Sequence, residues 1–262
     1  MKALKKFLTV LTMSTLGFAF TSNAALITVW DYNVDSAFTA FAPGAVVGSD
    51  PNAFWGAPTA LSWGNNANSS LVIGSSNPNG NSSGMATTNG ASVQTSTMTH
   101  NNFVITGTTL DNATLSSRLT LTPNTPAGPG LAPLDLVFGI NFLETVNAEP
   151  CVVGSVIPCR DIFAISPVGP FNQGFVLDGY NYNIELIVDG LGPLSDEACT
   201  AAFGVATTGC EGFTTIEGQA NNFDVNMRIT AIQTTTIPEP STILLFSMAL
   251  FGIVASMRSK RI

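Results

Sequence analysis

Lysine is missing from the whole interior of this 262-residue chain: none occurs between Lys6 and Lys260. From Ala25 to Pro240 the basic side chains are Arg118, Arg160 and Arg228, against all 17 acidic residues, a net charge of −14. That balance repels polyanions, so nucleic acid is not expected as a partner. Phosphate-cradling loops that need a lysine are excluded with it. Histidine is scarcer still, His100 being the only one. A metal site built on several histidines is therefore impossible, and a local structural role for His100 is the first expectation. The acidity suits solubility, attraction of cations, or a hydrated matrix.

Several motifs are absent as well. No Cys-x-x-Cys occurs, so a four-cysteine zinc site is only a secondary reading of Cys151, Cys159, Cys199 and Cys210. No Asp-x-Asp/Asn-x-Asp/Asn-Gly loop occurs, so calcium has no motif behind it and no cofactor is expected. Most of the acidic residues read as solvated surface charge. Gly80-Asn81-Ser82-Ser83-Gly84 matches the nucleophile-elbow pattern in form. It lies in a polar, low-complexity stretch, with no Asp or Glu between Ser82 and His100, which argues against a hydrolase. No Leu-Pro-x-Thr-Gly is present, and no cysteine follows the N-terminal apolar run.

What is present begins at the two ends. Lys2, Lys5 and Lys6 precede an apolar run from Phe7 to Phe20, and Ser22-Asn23-Ala24 places small residues at −3 and −1. Residues 1–24 read as a secretory signal peptide, cleaved after Ala24. At the other end, residues 241–257 carry no charge, and Arg258, Lys260 and Arg261 follow. As a helix this stretch spans about 25 Å, slightly short of a hydrocarbon core of about 30 Å, and the basic residues can snorkel. They are expected on the cytoplasmic side, with everything upstream exported. Pro238 and Pro240 cannot continue a helix, so residues 234–240 form a stiff linker. A plain tail anchor is the simpler reading.

Between the ends, residues 25–233 show short apolar and β-branched runs separated by Gly, Pro, Asn and Ser. That predicts an all-β fold, a jelly-roll-like β-sandwich, followed by a single C-terminal transmembrane helix. Strands are expected at Leu26–Trp30, Ser70–Ile73, Phe103–Ile105, Leu115–Leu121, Leu134–Thr145, Asp161–Ile165, Tyr180–Val188 and Asn222–Ile232. Asn65–Gly90 reads otherwise as surface loops. The four prolines of Pro123–Pro133 are expected to break the sheet. Ser195–Ala202 reads as a short helix capped by Ser195. In an exported chain the four cysteines should be oxidised. Three connectivities are open, and the local pairs Cys151–Cys159 and Cys199–Cys210 are favoured by Pro150, Pro158 and Gly209.

Pro238-Glu239-Pro240, the uncharged segment and the Arg258/Lys260/Arg261 end together resemble the PEP-CTERM sorting signal of Gram-negative bacteria that make exopolysaccharide. The resemblance implies processing by an exosortase. It implies an inner-membrane-anchored periplasmic intermediate, and the cell surface or extracellular matrix as destination. Thr99-His100-x-Asn102, with Trp55-Gly56 and Trp63-Gly64 upstream, is similar to the THxN family of PEP-CTERM proteins. Pro150-Cys151, Cys159-Arg160-Asp161-Ile162-Phe163 and Cys210-x-Gly212-Phe213-Thr214-Thr215 carry the same likeness. That family transfers no activity. Thr99, His100 and Asn102 are expected to hydrogen-bond and fix a turn. Trp55 and Trp63 are candidate sugar-stacking faces, with core packing the commoner fate of tryptophan. The expectation is a non-enzymatic structural or glycan-associated β module. The alternatives are an enzyme working on matrix polysaccharide through a carboxylate pair, or a calcium-stiffened surface adhesin.

Overall fold

Alternation at period two governs most of the chain from Leu26 to Ile232, which forms one compact unit. The computed structural model describes residues 25–65, 68–74, 80–153, 157–166 and 172–234. Its fourteen strands, β1 to β14 in chain order, lie in two seven-stranded sheets. One sheet has the order β12 (Gly192–Pro193), β13 (Glu211–Thr215), β9 (Asp161–Ser166), β8 (Leu134–Leu143), β7 (Asn112–Thr125), β1 (Val29–Ala42), β5 (Asn81–Thr87). The other runs β10 (Asn172–Leu177), β11 (Tyr180–Val188), β14 (Gln219–Gln233), β6 (Val93–Asn102), β4 (Ser69–Gly74), β3 (Pro58–Trp63), β2 (Val47–Pro51). The pairings of β1 with β5 and β7, of β7 with β8, and of β6 with β4 and β14 are all antiparallel. Apolar residues of both sheets share the same core clusters. The all-β sandwich is therefore as expected, on a larger plan than the about eight strands of a jelly roll.

The strongest alternations became strands at the expected places. β8 turns Leu136, Phe138, Ile140 and Phe142 inward, and β11 buries Tyr182 and Ile184. β1 is longer than the Leu26–Trp30 expectation. Trp30, Tyr32, Val34 and Ser36 hold the inner face through Asp31, Asn33 and Asp35, so the ladder continues to Ala42. Trp30 is fully buried and donates its indole N–H to Thr88 Oγ1 at 3.0 Å. Its ring meets Phe175 and Tyr182 of the opposite sheet edge-on, at 5.7 and 5.3 Å.

Two expectations need correcting. Within Asn65–Gly90, β4 matches the strand expected at Ser70–Ile73, and β5 is an additional strand where only loops were expected. β5 pairs only with β1 at the sheet edge, so one face stays polar and carries no apolar run. Phe103–Ile105 is not a strand: the ladder of β6 with β4 and β14 ends at Asn101 and Asn102.

The helix α1 (Asp196–Phe203) forms as expected. Ser195 Oγ accepts from the Ala198 N–H at 3.2 Å, and Gly204 ends the helix with φ +68°. Both local disulfides are formed, with Cα separations of 5.4 Å for Cys151–Cys159 and 5.8 Å for Cys199–Cys210. The second ties α1 to the start of β13. The signal peptide (1–24), Pro238, Glu239, Pro240, the segment 241–257 and Arg258, Lys260 and Arg261 lie outside the described residues. Among the described residues no helix is long and apolar enough to cross a membrane.

Truncating the ring that joins the sheets gives a direct test. Trp30→Ala is expected to cost about 3–5 kcal/mol in urea unfolding. A loss under about 1 kcal/mol would contradict the packing described.

Candidate functional site

The inner face of β6 ends in two polar residues, His100 and Asn102, both 0% exposed. Thr215, the last residue of β13 in the opposite sheet, faces them. The His100 Nδ1 lies 3.0 Å from Thr215 Oγ1, and Asn102 Nδ2 donates to the same oxygen at 3.3 Å. This polar contact spans the sandwich. Rings surround the histidine: Trp63 stacks on it at 5.5 Å, and Phe142 and Phe163 meet it edge-on at 5.4 and 4.9 Å. Burial lowers its pKa from 6.5 to about 3, so it is a neutral imidazole at physiological pH. Its Nε2 and the Asn102 Oδ1 are buried without a hydrogen-bond partner.

Beside this pair three carboxyl groups converge. Asp161 opens β9 and is 0% exposed, with Oδ1 accepting from the Thr145 N–H at 2.8 Å and the Thr145 hydroxyl at 3.2 Å. Glu144 follows the end of β8. Glu217 sits in the turn from β13 to β14 and is 8% exposed, with Oε1 accepting from Asn147 Nδ2 at 2.8 Å. One oxygen from each carboxyl lies within 4.8 Å of the others. Asp161 Oδ2, Glu144 Oε2, Glu217 Oε2 and the amide oxygen of Asn147 are all buried and unpartnered.

The electrostatics follow from that crowding. Desolvation, then the charges of Asp161 and Glu217, push Glu144 up to about 8, with the Trp63 indole acting against them. Desolvation likewise drives Asp161 up to about 7, and Glu217 adds to it. Thr145 and the neighbouring Asn102 amide act in the opposite direction. No basic side chain is among the groups that shift these two carboxyls. An arrangement of this kind can hold protons or a cation; bare, fully ionised carboxylates in this setting are strongly disfavoured.

The residues singled out from the sequence fall in three places. His100 and Asn102 build the site. Thr99 points the other way, its hydroxyl donating to Asn222 Oδ1 at 2.8 Å and so linking β6 to β14. The Thr-His-x-Asn motif therefore stitches strands and sheets together and fixes no turn. Trp63 is 2% exposed and packs in the core beside His100 and Phe142, so it presents no face to a sugar. Trp55 is half-buried in the loop between β2 and β3, with its indole N–H on the Asp35 carbonyl at 2.9 Å. Phe54 beside it is 48% exposed and stands over Arg118, whose Cζ is 4.3 Å from the ring centre. Glu144, Asp161 and Glu217 stand apart from the acidic residues read as solvated surface charge. They lie 17 and 56 residues apart in sequence, and only strand pairing assembles them.

The family comparison bears on the chain's C-terminal end. A family model described as the PEP-CTERM protein-sorting motif matches residues 236–261. No curated protein matches the chain. The chain thus combines an all-β sandwich with a C-terminal sorting signal of the kind processed by exosortase-type enzymes. The match supports an exported protein carrying a PEP-CTERM sorting signal at its C-terminal end.

The pKa directions set a pH dependence. Folded Glu144 and Asp161 keep protons that the unfolded chain has released above its ordinary values of 4.5 and 3.8, so stability falls as pH rises towards about 8 and 7. Folded His100 declines a proton that an ordinary imidazole accepts below 6.5, which opposes that fall only below pH 6.5. In EDTA-treated protein the melting temperature is expected to drop from about pH 4.5 to 8, most steeply just above 6.5. A melting temperature that climbs through this interval would contradict the assignment.

Proposed function

We propose that this chain is a non-enzymatic structural module of the envelope or extracellular matrix that associates with exopolysaccharide, and that it is a THxN-type PEP-CTERM protein. Residues 1–24 lead it out, and residues 241–257 hold it in the inner membrane until an exosortase-type enzyme acts on the Pro238-Glu239-Pro240 signal. The observation that carries this reading is the sorting motif at residues 236–261. The segments behind the THxN resemblance support it, because Trp63, His100, Asn102, Asp161, Phe163, Phe213 and Thr215 meet in or beside one site.

A glycan contact has support at the loop of Phe54 and Trp55. The two rings are edge-on at 5.1 Å, and Asn52 Oδ1 accepts from both backbone N–H groups at 2.9 and 3.0 Å, so the pair is held in place. Asn33, Asp35 and Asn81 form a hydrogen-bonded polar network beside Trp55. Aromatic faces next to amide and carboxylate groups suit a sugar ring. The raised carboxyls favour an enzyme only superficially. A glycosidase pair must flank the scissile bond, and Asp161 and Glu217 are closed off from a polymer.

Full-length protein in detergent, incubated with exopolysaccharide from its own host, is expected to be retained beyond an acidic control protein. The Phe54→Ala/Trp55→Ala variant should lose that retention severalfold. Equal retention of variant and parent would move the contact elsewhere, and none by the parent would remove the glycan reading.

A further inference from the structure

We propose that Glu144, Asp161, Glu217, Asn102 and Asn147 form a binding site for one calcium ion, which clamps the two sheets together at one end of the sandwich. Three carboxyl groups, two of them buried and one partly so, converge here with no basic side chain among their described hydrogen-bond partners. Each retains an oxygen that is buried and unbonded: Glu144 Oε2, Asp161 Oδ2 and Glu217 Oε2. Independent of the acids, Asn102 is 0% exposed, lies against Asp161, and has an Oδ1 without a partner. Asn147 repeats the pattern: its amide nitrogen is used on Glu217 and its oxygen is left over. Five buried oxygens without a partner thus belong to residues of one cluster, a set of acceptors that lacks a donor. A cation supplies what they lack.

The donor chemistry selects the ion. All five atoms are hard oxygens, three of them anionic, which suits calcium or magnesium and disfavours zinc or copper. The cysteines are consumed in disulfides, so no thiolate is available. The carboxylate oxygens lie within 4.8 Å of one another. Oxygens on opposite sides of calcium stand about 4.6–5.2 Å apart, against about 4.0–4.2 Å for magnesium. A span of up to 4.8 Å is within the reach of calcium, whose six to eight ligands water can complete.

The placement gives the site a consequence. Glu144 follows the end of β8, Asp161 opens β9 and Glu217 follows β13, all strands of one sheet. Asn102 ends β6 in the other. The Cys151–Cys159 bridge spans the β8–β9 connection between the first two ligands, limiting how far they can separate when the site is empty. A doubly charged ion here lets all three carboxyls ionise at a net charge of −1 and ties both sheets to one point. The Thr-His-x-Asn segment then gains a specific task. Its asparagine is a ligand, and its histidine, neutral and stacked on Trp63, buttresses the wall behind it.

The test uses the full-length chain in detergent, stripped with EDTA and dialysed, with calcium, magnesium and terbium chlorides as probes. One calcium per chain should bind, and saturating calcium should raise the melting temperature by about 5–10 °C. Asp161→Asn and Glu217→Gln should abolish the rise. Terbium should luminesce on tryptophan excitation, since Trp63 adjoins Glu144, and calcium should quench that signal by displacement. The terbium measurement is made on the parent chain, so it decides even if the variants fail to fold. No calcium bound and no displaceable terbium signal overturns the site. A rise that persists in folded Asp161→Asn overturns it too, placing calcium on the acidic surface. An equal response to magnesium overturns the choice of ion.

Discussion

Burial of rings from both sheets in one continuous stack is the constraint on which the rest of this molecule depends. Trp63 and His100 come from one sheet, Phe142, Phe163 and Phe213 from the other, and Phe223 returns to the first. Neighbouring centroids in this run are 3.9 to 5.5 Å apart. Packing at that density leaves little room for water, so a polar group buried within it must be satisfied largely by protein partners. His100 meets the demand by staying neutral and bonding Thr215. The three carboxyls do not meet it on their own, and this is what makes their corner of the sandwich the place where the fold asks for a further component.

The two disulfides and the cation clamp answer the same difficulty. A large sandwich with many polar strands has weakly specified edges, and an exported protein must hold them without help from the cytosol. Cys199–Cys210 fixes α1 against the β13 end, and Cys151–Cys159 closes the loop over the acidic corner. Surface ion pairs add little: Arg118–Asp135 and Arg228–Glu185 are both substantially exposed. Stability is thus concentrated in the core and in covalent or ionic ties at the strand ends. The lysine-free acidic surface is left free for its surroundings.

Much of the fold was legible because apolar alternation is a strong local signal. β8 and β11 carry it on every second residue, and Ser195, Asp196 and Gly204 bracket α1 in the usual chemistry of helix caps. β5 and β6 were not legible, since Asn81–Thr87 and Val93–Asn102 are built of Ser, Thr, Asn and Gln whose partners lie far along the chain. Neither was the acidic cluster. Asp161 could be singled out as part of the Cys159–Phe163 segment, but nothing local distinguishes Glu144 or Glu217 from a solvated carboxylate. Their common fate is decided by β8, β9 and β13 pairing side by side. Trp63 shows the reverse case: a candidate for contact with sugar by residue type, it is claimed by the core through the inward register of β3.

If the cluster is the joint between the sheets, calcium must slow local opening in both of them at once. Hydrogen exchange of the full-length protein, followed with and without calcium, measures this most directly. The account predicts strong added protection at the ends of β6, β8 and β13 and at the start of β9, with little change at β2 and β10 on the far edge strands. Protection unchanged at those four ends, or altered evenly across all fourteen strands, would contradict it.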